Sequence, residues 1–235
     1  MTSRRNEGHL AGRLQARPGQ VTEEGAVTRL LPLGLDGERD GLLYVPASYR
    51  EEQPAPLALM LHGAGGAARG SIEHFIAAAD AAGLLLLAPD SREITWDIIA
   101  RRYYGPDVAF IDRALAQTFA RYAIDPSHLA IGGFSDGASY ALSLGLANGD
   151  LFTHIIAFSP GFMVPPSRHG QPRIYISHGT RDAVLPIARC SRRIVPQLRR
   201  EGYDVTYHEF DGPHTVPIEV ALEAWQWFRD EQAGS

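Results

Sequence analysis

Gly133-Phe134-Ser135-Asp136-Gly137 places a serine between two glycines in the pattern G-x-S-x-G, after the apolar run Leu129–Phe134 and before a helical pattern over Ala138–Leu146. A serine on a sharp strand-to-helix turn has its hydroxyl pushed out above the sheet edge. Small residues on either side let the strand and helix backbones close around that turn. The five-residue pattern alone is unspecific, and a serine capping a helix after a tight turn would also produce it. The strand before it and the helix after it favour a nucleophile.

A nucleophilic serine needs a base, and the base needs an acid to orient it. The chain has nine histidines. His214 is the expected base: it follows the last predicted strand in Phe210-Asp211-Gly212-Pro213-His214, on the loop before the final helix. His62, His128, His154 and His208 fall in or beside strands, where structural roles are expected. His178 stands at a strand end, close enough to support the site, and His9, His74 and His169 fall on arm, helix or loop surfaces. Asp182, in His178-Gly179-Thr180-Arg181-Asp182, is the expected acid. Its rival, Asp211, precedes the histidine by three residues and reads as a turn former. Asp136 follows the serine directly and is expected to point away.

Charge developing on a carbonyl oxygen under attack requires fixed donors. The backbone N–H of Asp136 is one candidate. The second is expected in His62-Gly63-Ala64-Gly65-Gly66, at Ala64, with Gly65 as the fallback. A glycine-rich phosphate cradle is the alternative for this loop, but neither G-x-x-x-x-G-K-[ST] nor G-x-G-x-x-G occurs.

These residues need a scaffold, and the chain supplies a repeating one. Leu57–Leu61 is a continuous apolar run, as expected of a strand buried on both faces. A helix is expected near Ser71–Ala82 and a second buried strand at Leu84–Leu87, stopped by Pro89-Asp90. Residues 91–105 read as a long loop with a helical turn. After Pro106, the side chains of Val108, Ile111, Leu115, Phe119 and Tyr122 share one helical face. Strands at His154–Phe158, Ile174–Ser177 and Val205–Phe210 alternate with helices near Ile187–Arg200 and Val216–Arg229. Ala26–Leu33 and Leu42–Val45, joined across Asp36-Gly37, read as an opening antiparallel pair. The alternation predicts an α/β fold with a mostly parallel sheet covered on both faces. A flexible arm over 1–21 is expected ahead of one domain over 22–235.

Composition narrows the function. With 22 Lys and Arg against 27 Asp and Glu, the net charge of −5 carries no footprint for nucleic acid or an anionic membrane. The longest apolar stretch, near Ala81–Ala88, is far short of a membrane span. Cys190 is the only cysteine, which excludes an intrachain disulfide framework and a thiolate metal cluster and fits a reducing compartment. No H-E-x-x-H or compact His/Asp ligand cluster occurs, so no metal is expected. The polar, Arg-rich first twenty residues hold no apolar signal core, and a cytoplasmic location is expected.

Leu61-His62-Gly63, Ile131 to Gly137, His178 to Asp182 and Gly212-Pro213-His214, in this order, resemble the α/β-hydrolases over roughly 57–228. Within that fold the chain resembles the phospholipase/carboxylesterase group. It is also similar to polyhydroxybutyrate-depolymerase-like and feruloyl-esterase-like hydrolases. It departs from acyl-protein thioesterases in carrying Asp136 where they usually have Gln, and in its extra strands before Leu57. The resemblance implies a cofactor-free serine esterase with Ser135, His214 and Asp182 as its triad. The expected substrates are small, short- to medium-chain esters. Trp96, Phe162 and Met163, on loops at the expected site edge, are candidates to wall an acyl pocket. The same machinery serves thioesterases and serine peptidases, which a panel of esters, acyl-CoAs and aminoacyl amides would separate. A non-catalytic small-molecule receptor would instead fail to form a fluorophosphonate adduct.

Overall fold

Alternation along single strands shows how the sheet divides its core. The computed structural model describes residues 2–23 and 30–230. In strand β3 (Ala55–Leu61) the side chains of Leu57, Leu59 and Leu61 join one buried cluster, while Ala58 and Met60 join the other. Ile155 and Ala157 against Ile156 and Phe158 repeat this division in β6 (His154–Phe158). A strand buried on both faces has no polar face to show, which is why these runs are continuously apolar in sequence.

The chain opens with α1 (Thr2–Leu10), β1 (Leu30–Pro32) and β2 (Gly41–Tyr44) before β3. Then come α2 (Ala68–Ile72), a 3-10 turn (Glu73–Phe75), α3 (Ile76–Ala82), β4 (Leu85–Pro89), α4 (Asp97–Ala100) and α5 (Pro106–Arg121). The second half runs β5 (Ile124–Phe134), α6 (Asp136–Ala147), β6, β7 (Arg173–Gly179), α7 (Ser191–Arg200), β8 (Val205–Phe210) and α8 (Ile218–Arg229). The strands form one sheet in the order β1-β2-β4-β3-β5-β6-β7-β8. The β1–β2 and β2–β4 pairings are antiparallel and the others parallel. The expected face of α5 is buried throughout, from Val108 to Tyr122. The helix expected over Ser71–Ala82 is broken at the 3-10 turn, and Gly83, at φ 64°, closes α3 in the left-handed conformation. Part of the expected first strand, residues 26–29, lies outside the described residues.

The N-terminal segment, expected as an arm, packs on the domain through residues 9–17. Leu14 is buried in the core, and Asn148 binds the segment at Gly12 and Leu14. The Asn148 side chain accepts from the Leu14 N–H at 2.9 Å and donates to the Gly12 carbonyl at 2.8 Å. Asp112 accepts from the Gln15 and Ala16 amides at 2.7 and 2.8 Å, and its other oxygen meets His9 at 2.9 Å. Arg13 forks onto both carboxylate oxygens of Asp150 at 2.8 Å, holding that carboxyl down at about 2. All these partners are more than ninety residues away in sequence, so no local pattern could announce them.

Candidate active site

Ser135 sits between β5 and α6 with φ 58° and ψ −118°, a backbone conformation that costs a non-glycine residue strain. The strain persists because the turn has no room to relax. A Cβ added at Gly137 would lie 2.2 Å from the Leu61 carbonyl oxygen. β3, β5 and α6 therefore meet at backbone contact, and the serine hydroxyl projects at the C-terminal edge of the sheet.

Two further strand ends supply its partners. Asp182 lies just past β7 and His214 just past β8. A Cβ at Gly179 would fall 2.4 Å from the Gly212 carbonyl oxygen, and the Arg181 N–H donates to that same oxygen at 3.0 Å. The two loops are thereby locked together. The Ser135 hydroxyl reaches Nε2 of His214 at 2.9 Å, and the His214 Nδ1–H donates to Asp182 Oδ2 at 2.5 Å. Phe134 packs its ring against the imidazole, with centroids 4.6 Å apart.

Asp182 is fully enclosed. Burial works against its charge, but the amides of Leu185 and Val184, at 2.7 and 2.9 Å, and His214 outweigh it and hold its carboxyl below the ordinary range. His178 approaches the same carboxylate at 3.2 Å through Nε2, which also donates to the Leu185 carbonyl at 2.8 Å, while its Nδ1 meets the Ser191 hydroxyl. Burial lowers the pKa of His178 and favours the neutral ring. Asp211, the alternative acid, instead pairs at the surface with Arg181.

The loop after β3 faces the elbow: a Cβ at Gly63 would be 3.5 Å from the Ser135 Cβ. The Ala64 amide donates to no group among the described residues. The Asp136 amide is the first of α6, where no preceding turn offers a carbonyl. The Gly65 amide is already committed to the Ile94 carbonyl at 2.7 Å, which removes the fallback donor. His62 staples this loop. Its Nδ1–H donates to the Gly63 carbonyl at 2.7 Å, and its Nε2 accepts from the Ser91 amide at 3.0 Å, a pattern only the neutral ring can make. Burial lowers its pKa in the same sense.

The 91–105 segment clamps the site from outside. Its Trp96 N–H donates to the His62 carbonyl at 2.9 Å, and its Thr95 hydroxyl donates to Asp136 at 2.6 Å. The segment is anchored in turn by the buried pair Asp97 and Asp107. Asp97 accepts from the Tyr140 hydroxyl and the Gly105 and Asp107 amides; Asp107 accepts from the Arg92 and Asp97 amides. Burial raises the pKa of both carboxyls. Sequence reasoning missed this clamp because its partners carry no periodic signal.

A cavity of about 710 Å³ opens beside His214. It runs between the loop after β3, the α2–α3 segment and α8, over a floor that includes Phe75, Phe158 and Trp225. None of Trp96, Phe162 and Met163, expected to wall an acyl pocket, borders this cavity. The Trp96 ring is fully buried between His62 and Tyr140, at 4.8 and 5.1 Å between centroids. Met163 packs on the core, and Phe162 is half-buried in the segment after β6. No helix among the described residues is long and apolar enough to cross a membrane.

Comparison with known proteins places this geometry in a family. The fold matches that of esterase PE8, with a TM-score of 0.66 at 23% identity over 86% of this chain and 99% of that one. It also matches the fluorophosphonate-binding serine hydrolase FphF of Staphylococcus aureus, with a TM-score of 0.71 at 12% identity over 88% and 100%. A ferulic acid esterase of Anaeromyces mucronatus, bound to ferulic acid, matches with a TM-score of 0.61 at 18% identity over 91% and 88%. In sequence, the chain is 32% identical over 119 residues to the inferred esterase NocK of Nocardia uniformis subsp. tsuyamanensis. That match covers 48% of this chain and 35% of NocK, so the chain spans about a third of that relative. Residues 108–230, more than half of the chain, match the family model of the phospholipases and carboxylesterases. A strained serine turn on a sheet of this topology and that match lead to one conclusion: the chain has the α/β-hydrolase fold and belongs to the phospholipase/carboxylesterase family.

Proposed function

We propose that this protein is a serine carboxylic-ester hydrolase that works through an acyl-enzyme on small esters with short- to medium-chain acyl groups. The observation that carries the reading is the placement of His214 between Ser135 and Asp182, side chains from three separate strand ends. Ser135 Oγ attacks the ester carbonyl as His214 Nε2 takes its proton, and the carbonyl oxygen becomes an oxyanion. The amides of Ala64 and Asp136 donate to that oxygen. Collapse breaks the bond to the alcohol oxygen, which receives the proton from His214. Water then attacks the acyl-enzyme, gives its proton to His214, and the acid leaves as Ser135 is restored. Asp182 holds the imidazole in the tautomer with the proton on Nδ1 and stabilises the imidazolium. The lone cysteine, Cys190, is buried and takes no part; it is consistent with work in a reducing compartment.

A fluorophosphonate probe with mass spectrometry of the labelled peptide tests the assignment. The adduct is expected on Ser135. Ser135→Ala should abolish labelling and lower kcat on short p-nitrophenyl esters on the order of 10⁴–10⁶-fold. Labelling at another serine, or turnover in the alanine variant near that of the parent, would overturn the reading.

A further inference from the structure

The cavity beside His214 touches the site from one side only, and the chemistry of the histidine says which half of the ester belongs there. The inference rests on the ester-hydrolase reading. In the collapse of the tetrahedral intermediate, the imidazolium delivers its proton to the leaving oxygen, so the leaving group must lie on the imidazole side of the serine. His214 and the following Thr215 and Val216 form one wall of the cavity, and Ala64 and Ala67 of the loop after β3 stand in another. A substrate whose carbonyl oxygen faces the Ala64 amide, and whose leaving oxygen faces His214, directs its alcohol portion into this space. We propose that the cavity is the leaving-group site, and that it selects esters of uncharged, aryl-bearing alcohols.

Its size and lining define that class. About 710 Å³ is far more than methanol or ethanol would fill, and lies in the range of sites that enclose drug-sized ligands. Among the described residues no Asp, Glu, Lys or Arg lines it, and the hydroxyl side chains in its lining are Ser71 and Thr215. A sugar, a charged headgroup alcohol or a peptide-like thiol would lose more hydration there than the Ser71 and Thr215 hydroxyls and the Trp225 N–H could replace. The floor is aromatic: Phe75 stacks on Phe158 at 6.0 Å and meets Trp225 edge-on at 5.4 Å. Such a surface offers a further ring both edge and face contacts. Width is left by small side chains, Ala77 and Ala78 from α3 and Ala221 from α8.

The test uses the full chain and two ester series with leaving groups of similar acidity. One series holds the acyl group as acetate and varies the alcohol from ethanol to 2-phenylethanol and 2-(2-naphthyl)ethanol. The other holds ethanol and varies the acid from acetic to phenylacetic and naphthylacetic. The parent should prefer the arylalkyl acetates over ethyl acetate in kcat/KM by about tenfold or more, as apolar pocket contacts of this size permit. Filling the cavity by Ala221→Trp should lower that alcohol-series ratio by about tenfold and leave the acyl-series ratio in place. Ala78→Phe, entering from the facing helix, should do the same and serves if the first variant fails to fold. A change that follows the acyl series, with an altered rate of acyl-enzyme breakdown, would make the cavity an acyl site and overturn the proposal. Equal losses across both series, or no preference in the parent, would overturn it too. If no ester is hydrolysed and no probe adduct forms at Ser135, the proposed reaction fails and this site with it. An adduct at Ser135 without alcohol preference defeats the cavity assignment alone.

Discussion

Ser135 carries a cost that its proposed chemistry explains. A residue with a side chain held at φ 58° and ψ −118° is strained by about 1–3 kcal/mol. Glycine tolerates that region, so Ser135→Gly should raise the melting temperature while removing the hydroxyl on which hydrolysis depends. Thermal unfolding and turnover measured on the same preparation check both halves of this expectation. An unchanged or lowered melting temperature would mean that the turn is not strained as its dihedral angles indicate. Around the serine, the neutral rings of His62 and His178 perform a different task from His214, since each has both nitrogens engaged with partners other than Ser135. Of these histidines, His214 is the one whose Nε2 meets the serine hydroxyl.

At the scale of elements, the 91–105 segment behaves as a buttress. It holds the loop after β3 through Trp96 and Ile94, and the start of α6 through Thr95. These are the backbones that offer the proposed oxyanion donors. Trp96→Phe keeps an aromatic ring between His62 and Tyr140 but deletes the indole N–H. The His62 carbonyl is then left without that donor, at a cost of about 1–3 kcal/mol. If the loop shifts in response, kcat should fall roughly tenfold or more with KM little changed, because donors to a developing oxyanion act mainly in the transition state. Steady-state kinetics on a short ester, alongside a melting curve, separate this from simple loss of fold. An equal fall in stability with kcat untouched would restrict Trp96 to packing.

The whole molecule adds two expectations. Leu14 ties the N-terminal segment to the core cluster that also holds α5 and α6. Leu14→Ala should destabilise by about 2–4 kcal/mol, measured by denaturant unfolding, as for other buried leucines. A cost below about 0.5 kcal/mol would show that the segment docks without contributing. The second concerns acid. His154 is buried among Phe228 and Trp227, and burial, with the charges of Arg173 and His128, lowers its pKa from 6.5 to about 4. Between those values the unfolded chain binds a proton that the native state refuses, so stability falls as pH drops through this window. His154→Phe removes the titrating group and should flatten the decline in melting temperature between pH 7 and 4.5. The contribution at stake is roughly 2–3 kcal/mol. An identical decline in parent and variant would place the acid sensitivity elsewhere. Asp97 and Asp107, with raised pKa values, act in the opposite sense.

Much of this architecture is written locally. The continuous apolar runs of β3, β4 and β6 are legible because a strand covered on both faces can carry little else. The two glycines around Ser135 mark its turn because backbones touch there. Candidate residues for the chemistry follow from residue type and order along the chain. Tertiary structure alone decided how far those candidates stand from one another, since hydrogen bonds of 2.5 and 2.9 Å depend on the relative height of three strand ends. It also docked 9–17 against Asn148, Asp112 and Asp150, buried Trp96 as a clamp, and opened the cavity between α3 and α8. The physical reason is common to all of these. Periodicity and turn chemistry act over a few neighbouring residues and leave a trace in the order of amino acids. Cavities and long-range polar anchors arise where surfaces from distant segments fail or manage to meet, and no short stretch of sequence contains both sides.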